Sequence, residues 1–475
     1  LQTTDLLGSV PENLIIRDPV HCFVYSATAD GGLRVENYKD PRGLVSAVNR
    51  PGDEGKAFRE SACEEIDYML SNKIASEFDG RLCPAGKLIM DCGWACKMKF
   101  DANGDADRPR MRLTPRGYQQ RIHDDFSEHG ITSPVCKHIS LFMLFIFTAQ
   151  WNMCTRVIDI TKAFLYGLCE EHDVFMKVPD GFNNPDKLKF GIHTVWKLHR
   201  QIYGMKAAAR EFFNVFSAHL RSNGFVQLQC DCCFFVRKLD AEGRDVATAS
   251  VPTSEHGNRS QGQFQTPVVD LLSGLKPGEQ IMLICLWVDD CIIAYIGDDI
   301  LNKFLFALKG VFSYRDEGIW NYILGMNVTI DREAKSVTLS HETYFRKFLA
   351  MCKLWSVPQH SVSVPVKTGQ RVSKAGMPAI DAANTDSKLK EMQTRYRSIL
   401  GALVHTSNWI RSDLALAVSI ASQFMANPGW EHWAFIQIVV QYCIGSADVS
   451  LVLHGWADDV LSLYGYSDSD YSGDE

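Results

Sequence analysis

Long apolar runs are missing from this sequence. The longest, Ile139 to Ala149, falls far short of the roughly 20 residues that a membrane-spanning helix needs. No charged, apolar, small-residue leader opens the chain at Leu1, so neither membrane insertion nor secretion is expected. An excess of positive charge is absent too. Lys plus Arg number 49 against 56 Asp plus Glu, a net charge of −7, which excludes a uniformly basic coat and leaves nucleic acid only local patches to bind. The 15 cysteines are scattered without paired spacing, the usage of a reducing compartment rather than of a disulfide framework. The 14 histidines include no His-Glu-x-x-His and no readable Ser-His-Asp spacing, so hydrolase chemistry has no support.

What is present is the composition of a packed globular protein, 46% hydrophobic and 22% charged. Its 475 residues predict about three domains at roughly 100 to 200 residues each. The chain begins without Met and stops in an acidic run, Asp468 to Glu475, so a piece of a longer polypeptide is expected. The first 55 residues mix Pro, Gly, Asp and short apolar runs without a sustained period and read as a tether or the tail of a preceding region. A helical pattern runs from Lys56 to Leu70. Strands are expected within Trp94 to Arg121 around a turn at Asn103-Gly104, a strong hairpin signal. That hairpin carries seven Lys or Arg and three Asp, and reads either as a solvated face or as a finger that grips phosphate.

Helical spacing returns over Ala207 to Asn223. Just upstream lies a second basic stretch, Lys187, Lys189, Lys197, Arg200, Lys206 and Arg210. Residues Glu242 to Gln265 and Lys367 to Lys388 read as mobile segments. Helices are expected near Arg395 to Thr406, Asp413 to Met425 and Glu431 to Tyr442.

The chemistry concentrates in Ile281 to Ile296, two apolar strand-like runs with Asp289 and Asp290 between them. Buried unpaired carboxylates are costly, so the pair either faces solvent at a turn or is neutralised by a cation. Far upstream, Asp159 sits near the end of another apolar strand, Val157 to Ile160, and side-by-side strands would bring it to Asp289. Hard divalent cations take oxygen ligands, and two metals about 3.5 to 4 Å apart can activate a hydroxyl and stabilise a leaving pyrophosphate. Cys230-Asp231-Cys232-Cys233 contains a Cys-x-x-Cys spacing, but four ligands are needed for structural zinc, and packing is the favoured reading.

Taken in order, these segments resemble the reverse transcriptase of copia-type long-terminal-repeat retrotransposons. WACKMKF through RPRMRLTPRGYQQ (Trp94 to Gln120) is similar to the family's fingers segment, and VIDITKAFLYGLCEEHDVFMKVPDGF (Val157 to Phe182) to its first aspartate motif. Trp196 to Phe235 resembles the next block, Leu286 to Ala294 the YVDD box, and Tyr322 to Leu339 the primer-holding region. Tyr396 to Leu453 is similar to the connecting helices, and GYSDSDYSGD (Gly465 to Asp474) to the opening strand of a ribonuclease H domain.

The resemblance implies an α+β right-hand polymerase occupying residues 56–365. Its fingers would be at about 84–156 and 183–225, its palm at about 157–182 and 226–320, and a thumb would follow. A helical connection is implied at 366–455 and a truncated ribonuclease H start at 456–475. It further implies an RNA-directed DNA polymerase that copies element RNA into DNA with two Mg²⁺ ions, Mn²⁺ being an alternative. RNA template, DNA primer, dNTPs and other parts of the Pol polyprotein would be its partners, in an intracellular setting, an element particle of the cytoplasm or the nucleus.

Carried over position by position, Asp159, Asp289 and Asp290 become the palm carboxylates, with Asp159 and Asp289 holding metal and Asp290 less direct. Phe164 matches the bulky position that blocks a ribose 2′-hydroxyl, an ordinary core Phe being the alternative. Lys97 and Arg112 match side chains near the triphosphate, Tyr203 and Gly204 the turn beneath nucleotide and template, and Asp468 a first ribonuclease H carboxylate. Three departures stand out. Trp287 replaces the phenol that touches the primer end, and Pro115 and Ala209 replace residues of local turns. They motivate the alternative of a decayed or co-opted polymerase-fold protein that only binds nucleic acid.

Overall fold

A computed structural model of the chain describes residues 38–100, 105–127, 131–169, 172–246, 267–345, 362–367, 372–379 and 386–456. Helices α1 (Leu44–Val48) and α2 (Asp53–Ser71) come first. Gly52 precedes α2 at φ 64°, and Asp53 and Glu54 favour the positive end of its dipole. Phe58, Ala62, Ile66 and Met69 then recur at three- and four-residue spacing and are buried along one face. Strands β1 (Ala75–Asp79), β2 (Ile89–Met90), β3 (Cys92–Phe100) and β4 (Ala106–Pro115) follow. In β3 the alternation is strict: Trp94, Cys96 and Met98 are buried while Ala95, Lys97 and Lys99 are exposed. The buried side of this β3–β4 ribbon packs with the apolar face of α2, where Met111 N–H donates to Ser61 Oγ at 3.0 Å. The expected turn at Asn103-Gly104 lies outside the described residues, though the strands either side of it are paired in one register.

The chain continues through α3 (His138–Gln150), β5 (Cys154–Ile160), β6 (Val174–Lys177), β7 (Thr194–Leu198), α4 (Ala208–Ser222), β8 (Val226–Gln227), β9 (Phe234–Leu239) and α5 (Pro267–Ser273). Next come β10 (Gln280–Trp287), β11 (Asp290–Ile296), α6 (Asp298–Lys309), β12 (Tyr314–Gly318), β13 (Tyr322–Ile323), β14 (Met326–Asp331) and β15 (Ser336–Ser340). It ends in α7 (Ser387–Trp409), α8 (Ala415–Ser422), α9 (Trp430–Gly445) and β16 (Leu451–His454).

Strands order as β1-β7-β6-β2, as a six-stranded central sheet β12-β5-β11-β10-β9-β8, as β13-β14-β15-β16, and as the β3–β4 ribbon. Helices and mostly antiparallel strands together give the α+β content expected. One core surrounds the central sheet, a second joins α2 to the ribbon and the first sheet, and a third lies among α7, α8 and α9.

Residues 38–55 depart from the tether expected over residues 1–55. Ala47 is fully buried, Asp40 accepts the Met98 N–H at 2.9 Å, and the Tyr38 hydroxyl donates to Glu54 at 2.7 Å. Their partners lie in α2 and β3, so no local period announces them. The three C-terminal helices form where expected, with α7 beginning earlier than Arg395 because Asp386 caps it by accepting from Lys388 and Leu389 N–H. Most of the Glu242–Gln265 segment lies outside the described residues, as does part of Lys367–Lys388.

The central sheet is the support on which everything else depends. Phe235, fully buried on β9, should lose about 3 to 5 kcal/mol of stability on truncation to Ala, read as a lower denaturation midpoint. A Phe235→Ala protein that melts with wild type would mean that this core is not packed as described.

Candidate active site

Antiparallel pairing of β5 with β11 sets the register Ile158↔Cys291 and Asp159↔Asp290. Pairing of β10 with β11 makes Trp287 the cross-strand partner of Asp290 and leaves Val288 and Asp289 as a two-residue turn. Val288 takes φ 57°, whereas Asp289 does not cross to positive φ, the pattern of a II′ hairpin turn. A β-branched residue at that position is strained, and such strain persists only where surrounding structure imposes it. Here the Ile160 N–H donates to the Asp289 carbonyl at 3.0 Å, tying the turn to the strand that carries Asp159. All three expected carboxylates therefore stand together at one end of the central sheet.

Their electrostatics are unfavourable. Burial, then Asp289, Asp159 and Glu317, push Asp290 up to about 7 against the pull of Arg315. Burial, with Asp159 adding to it, also raises Asp289, opposed by Arg112 and Arg110. Hard oxygen donors gathered at one end of the sheet, with their charge left partly uncompensated, suit a divalent cation, though the three carboxylates do not all approach within 4.8 Å of one another. Arg315 on β12, directly opposite Asp159 in register, donates to Asp159 Oδ2 at 2.9 Å and contacts Glu317 at 3.1 Å. Sequence reasoning missed this residue, because Arg315 stands in a charged run that reads as solvated.

Asp159 and Asp289 line a cavity of about 310 Å³ whose wall includes Arg110 and Arg112 from β4. The Arg112 guanidinium lies 4.2 Å from the Tyr203 ring centroid, and its Nε is buried without a partner. Phe164, partly buried, packs its ring 5.1 Å from Tyr203, which lines the cavity, and meets two cores without lining the cavity itself. Gly204 has φ 101°, and a Cβ there would come within 3.0 Å of the Pro115 carbonyl oxygen. At Gly117 a Cβ would fall 1.9 Å from the Gly204 carbonyl, so two glycines permit the turn after β4 to touch the turn at Tyr203. Lys97 is exposed opposite Arg110 and does not line the cavity.

Two further residues join the site. Lys162, at φ 55°, sets its ammonium 3.2 Å from the buried carboxylate of Glu65 and 3.4 Å from the Tyr68 ring, linking α2 to the cavity floor. Several members of the second basic stretch hold loops instead of facing the cavity. Lys197 pairs with Asp173 at 2.6 Å, and Lys206 donates to the Gln120 carbonyl at 3.0 Å.

The departures are accommodated. Pro115 is the last residue of β4, where a missing N–H costs little, and Ala209 lies in an undistorted first turn of α4. One cluster of three metal-ligating groups within 4.8 Å of one another occurs among the described residues, Asp231, Cys232 and Cys233. The Asp231 carboxylate already accepts from Lys137 and Cys233 N–H at 2.8 and 2.9 Å, and Cys233 is fully buried, so packing explains it. Asp468 lies outside the described residues. No helix among them is long and apolar enough to cross a membrane.

Residues 82–249 match the reverse transcriptase (RNA-dependent DNA polymerase) family. Over that stretch the chain is similar to this family. Over 440 residues it is 26% identical to the retrovirus-related Pol polyprotein from transposon TNT 1-94 of Nicotiana tabacum, covering 93% of this chain and 29% of that one. Over 467 residues it is also 26% identical to the Pol polyprotein from transposon RE2 of Arabidopsis thaliana, covering 96% and 27%. The chain is thus similar, over most of its length, to copia-type Pol polyproteins and spans less than a third of theirs. A solved foamy viral protease-reverse transcriptase in complex with double-stranded DNA is similar at a TM-score of 0.36 and 12% identity, covering 81% of this chain and 47% of that one, too loose a likeness to add to the argument. The reverse transcriptase match contains Asp159, Arg112, Phe164 and Tyr203, while Asp289 and Asp290 follow it in the chain. Reverse transcriptases generally use divalent metal ions, in keeping with the donor set.

Burial of Asp290 among its neighbouring carboxylates has a measurable consequence for the metal-free protein. The unfolded chain releases the Asp290 proton in the ordinary carboxylate range, whereas the folded protein holds it to about 7. Folded protein then binds more protons than unfolded protein between those limits, so stability falls as pH rises through them and the loss is complete above about 7. In chelator, Asp290→Asn should raise the melting midpoint at about pH 8 and show a shrinking gain toward about pH 4. An equal effect at both ends would contradict the raised Asp290 titration that burial and its neighbours impose.

Proposed function

We propose that this chain is an RNA-directed DNA polymerase that extends a DNA primer on an RNA template, as part of a copia-type Pol polyprotein. The observation that carries the reading is the β5–β11 register, which sets Asp159 beside the Asp289–Asp290 turn at the floor of a cavity walled by Arg110 and Arg112. In this reading the central sheet is the palm, the β3–β4 ribbon with α2 belongs to the fingers, the sheet β13-β14-β15-β16 lies in the primer-holding region, and α7 to α9 form the connection.

Nucleotidyl transfer forms a bond from the primer 3′-oxygen to the α-phosphorus of a dNTP and breaks the bond to pyrophosphate. Asp159 and Asp289 would hold Mg²⁺, which lowers the pKa of the attacking hydroxyl and neutralises the leaving pyrophosphate. Arg110 and Arg112 face the negative triphosphate from β4, and the guanidinium fork of Arg112 is oriented by its stack on Tyr203. Phe164, held against Tyr203, fills the space beneath the sugar. Arg315, paired here with Asp159 and Glu317, would have to yield Asp159 to a bound cation.

Asp289→Asn should abolish dNTP incorporation on an RNA template while leaving duplex binding within about threefold, since the Asn is isosteric and only the ligand charge is lost. A variant that still polymerises contradicts the assignment. Binding without extension by the wild-type chain would instead favour the binding-only alternative. Phe164→Ala should raise incorporation of ribonucleotides relative to deoxyribonucleotides by about tenfold or more in the same assay, the cost of one lost steric exclusion. Unchanged sugar discrimination would return Phe164 to the core.

A further inference from the structure

The turn that holds Asp289 and Asp290 is braced from outside the central sheet. Trp287, the last residue of β10, directs its indole away from the cavity into an aromatic cluster. Its ring centroid lies 6.0 Å from His138 in a stacked arrangement and 5.5 Å from Trp409. His138 and Trp409 are themselves only 3.9 Å apart, and Phe142 meets Trp409 edge-on at 6.0 Å. His138 begins α3, two residues after Cys136, whose N–H donates to the Leu286 carbonyl at 3.0 Å, so the backbone of α3's approach and the side chain of its first residue both grip the end of β10.

Trp409 ends α7, and the position is unusual within that helix. Leu389, Met392, Tyr396, Ile399, Leu400 and Leu403 pack into the core of the helical unit, whereas Trp409 and the following Ile410 leave it and join the core of the central sheet. Trp409 is 5% exposed, so the helix end is anchored there and not merely resting on a surface. Behind it the column continues, with His405 stacked 5.2 Å from His341, a buried imidazole neither of whose nitrogens has a hydrogen-bond partner. A strained turn with φ 57° at Val288 needs such a brace, because the hairpin by itself would relax it.

We infer that His138 and Trp409 are positioning residues for the Asp289–Asp290 turn, acting through Trp287, so that the C-terminal helical unit is part of the polymerase site's support. Substitution of a phenol by the larger indole at 287 then has a purpose: the indole reaches both rings at once. The inference rests on the polymerase reading for its effect on rate, but the contact itself is independent of it.

The test is a double-mutant cycle in the full chain with Trp287→Ala, Trp409→Ala and both changes, alongside His138→Ala and the milder Trp409→Phe. Single-nucleotide extension in Mg²⁺ and the melting midpoint in chelator are both recorded. Trp409→Ala should lower kcat by about tenfold, the loss of one or two aromatic contacts, with the Kd for primer–template changed less than about threefold. Trp409→Phe should recover most of the rate, and Trp409→Ala should have little further effect once Trp287 is Ala. His138→Ala, at an exposed helix start where folding is not at risk, should reproduce the kcat loss. Full and equal effects of Trp409→Ala with and without Trp287, in both rate and melting, would overturn the brace. If wild type fails to extend, the polymerase reading falls alone, and coupling of the melting midpoints still decides whether Trp287 and Trp409 act as a pair.

Discussion

One strand pairing organises the molecule. When β5 lies antiparallel to β11 in the register Asp159↔Asp290, carboxylates 131 residues apart in sequence (290 minus 159) share one end of a sheet whose remaining length is apolar and buried. Such a concentration of charge is destabilising in itself. It is tolerated because the apolar strands around it bury a large core, and because Arg315 and the arginines of β4 surround it with positive charge. The strain at Val288 and the high Asp290 titration are two signs of the same compromise, stability given up where the proposed reading puts a cation and a phosphate.

Much of this was legible in the residues. Two apolar runs separated by Asp289 and Asp290 read as strands whose acidic junction either turns in solvent or meets a cation, and the short Val157 to Ile160 run has the same character as its neighbour in the sheet. The Asn103-Gly104 turn signal and the Lys and Arg around it announced a basic hairpin, and α2 and α4 announced themselves by period. These features are local, so a pattern of a few residues suffices to reveal them.

Other features are not local and left no such trace. Arg315 binds a carboxylate 156 positions away, and nothing in Tyr-Arg-Asp-Glu distinguishes it from a solvated strand. Residues 38–55 looked like a tether because their partners are in α2 and β3. The in-out alternation of β3 puts Lys97 on the same exposed face of the ribbon as its register partner Arg110, yet the cavity is lined from the ribbon by Arg110 and Arg112 of the facing strand and not by Lys97. Trp287 read as a defect in isolation, and only the arrival of α3 and the end of α7 shows rings of matching size around it. Pro115 likewise gains its explanation from its place at the end of a strand.

The central claim is that Asp159 and the Asp289–Asp290 turn form one cation site. The most direct measurement is iron-mediated hydroxyl-radical cleavage of the folded chain, in which Fe²⁺ takes the place of Mg²⁺ and cuts the backbone beside the residues that hold it. The account predicts two cuts, one near Asp159 and one near Asp289, both suppressed by excess Mg²⁺. Cleavage at only one of these segments, or at Asp231 to Cys233 instead, would contradict it.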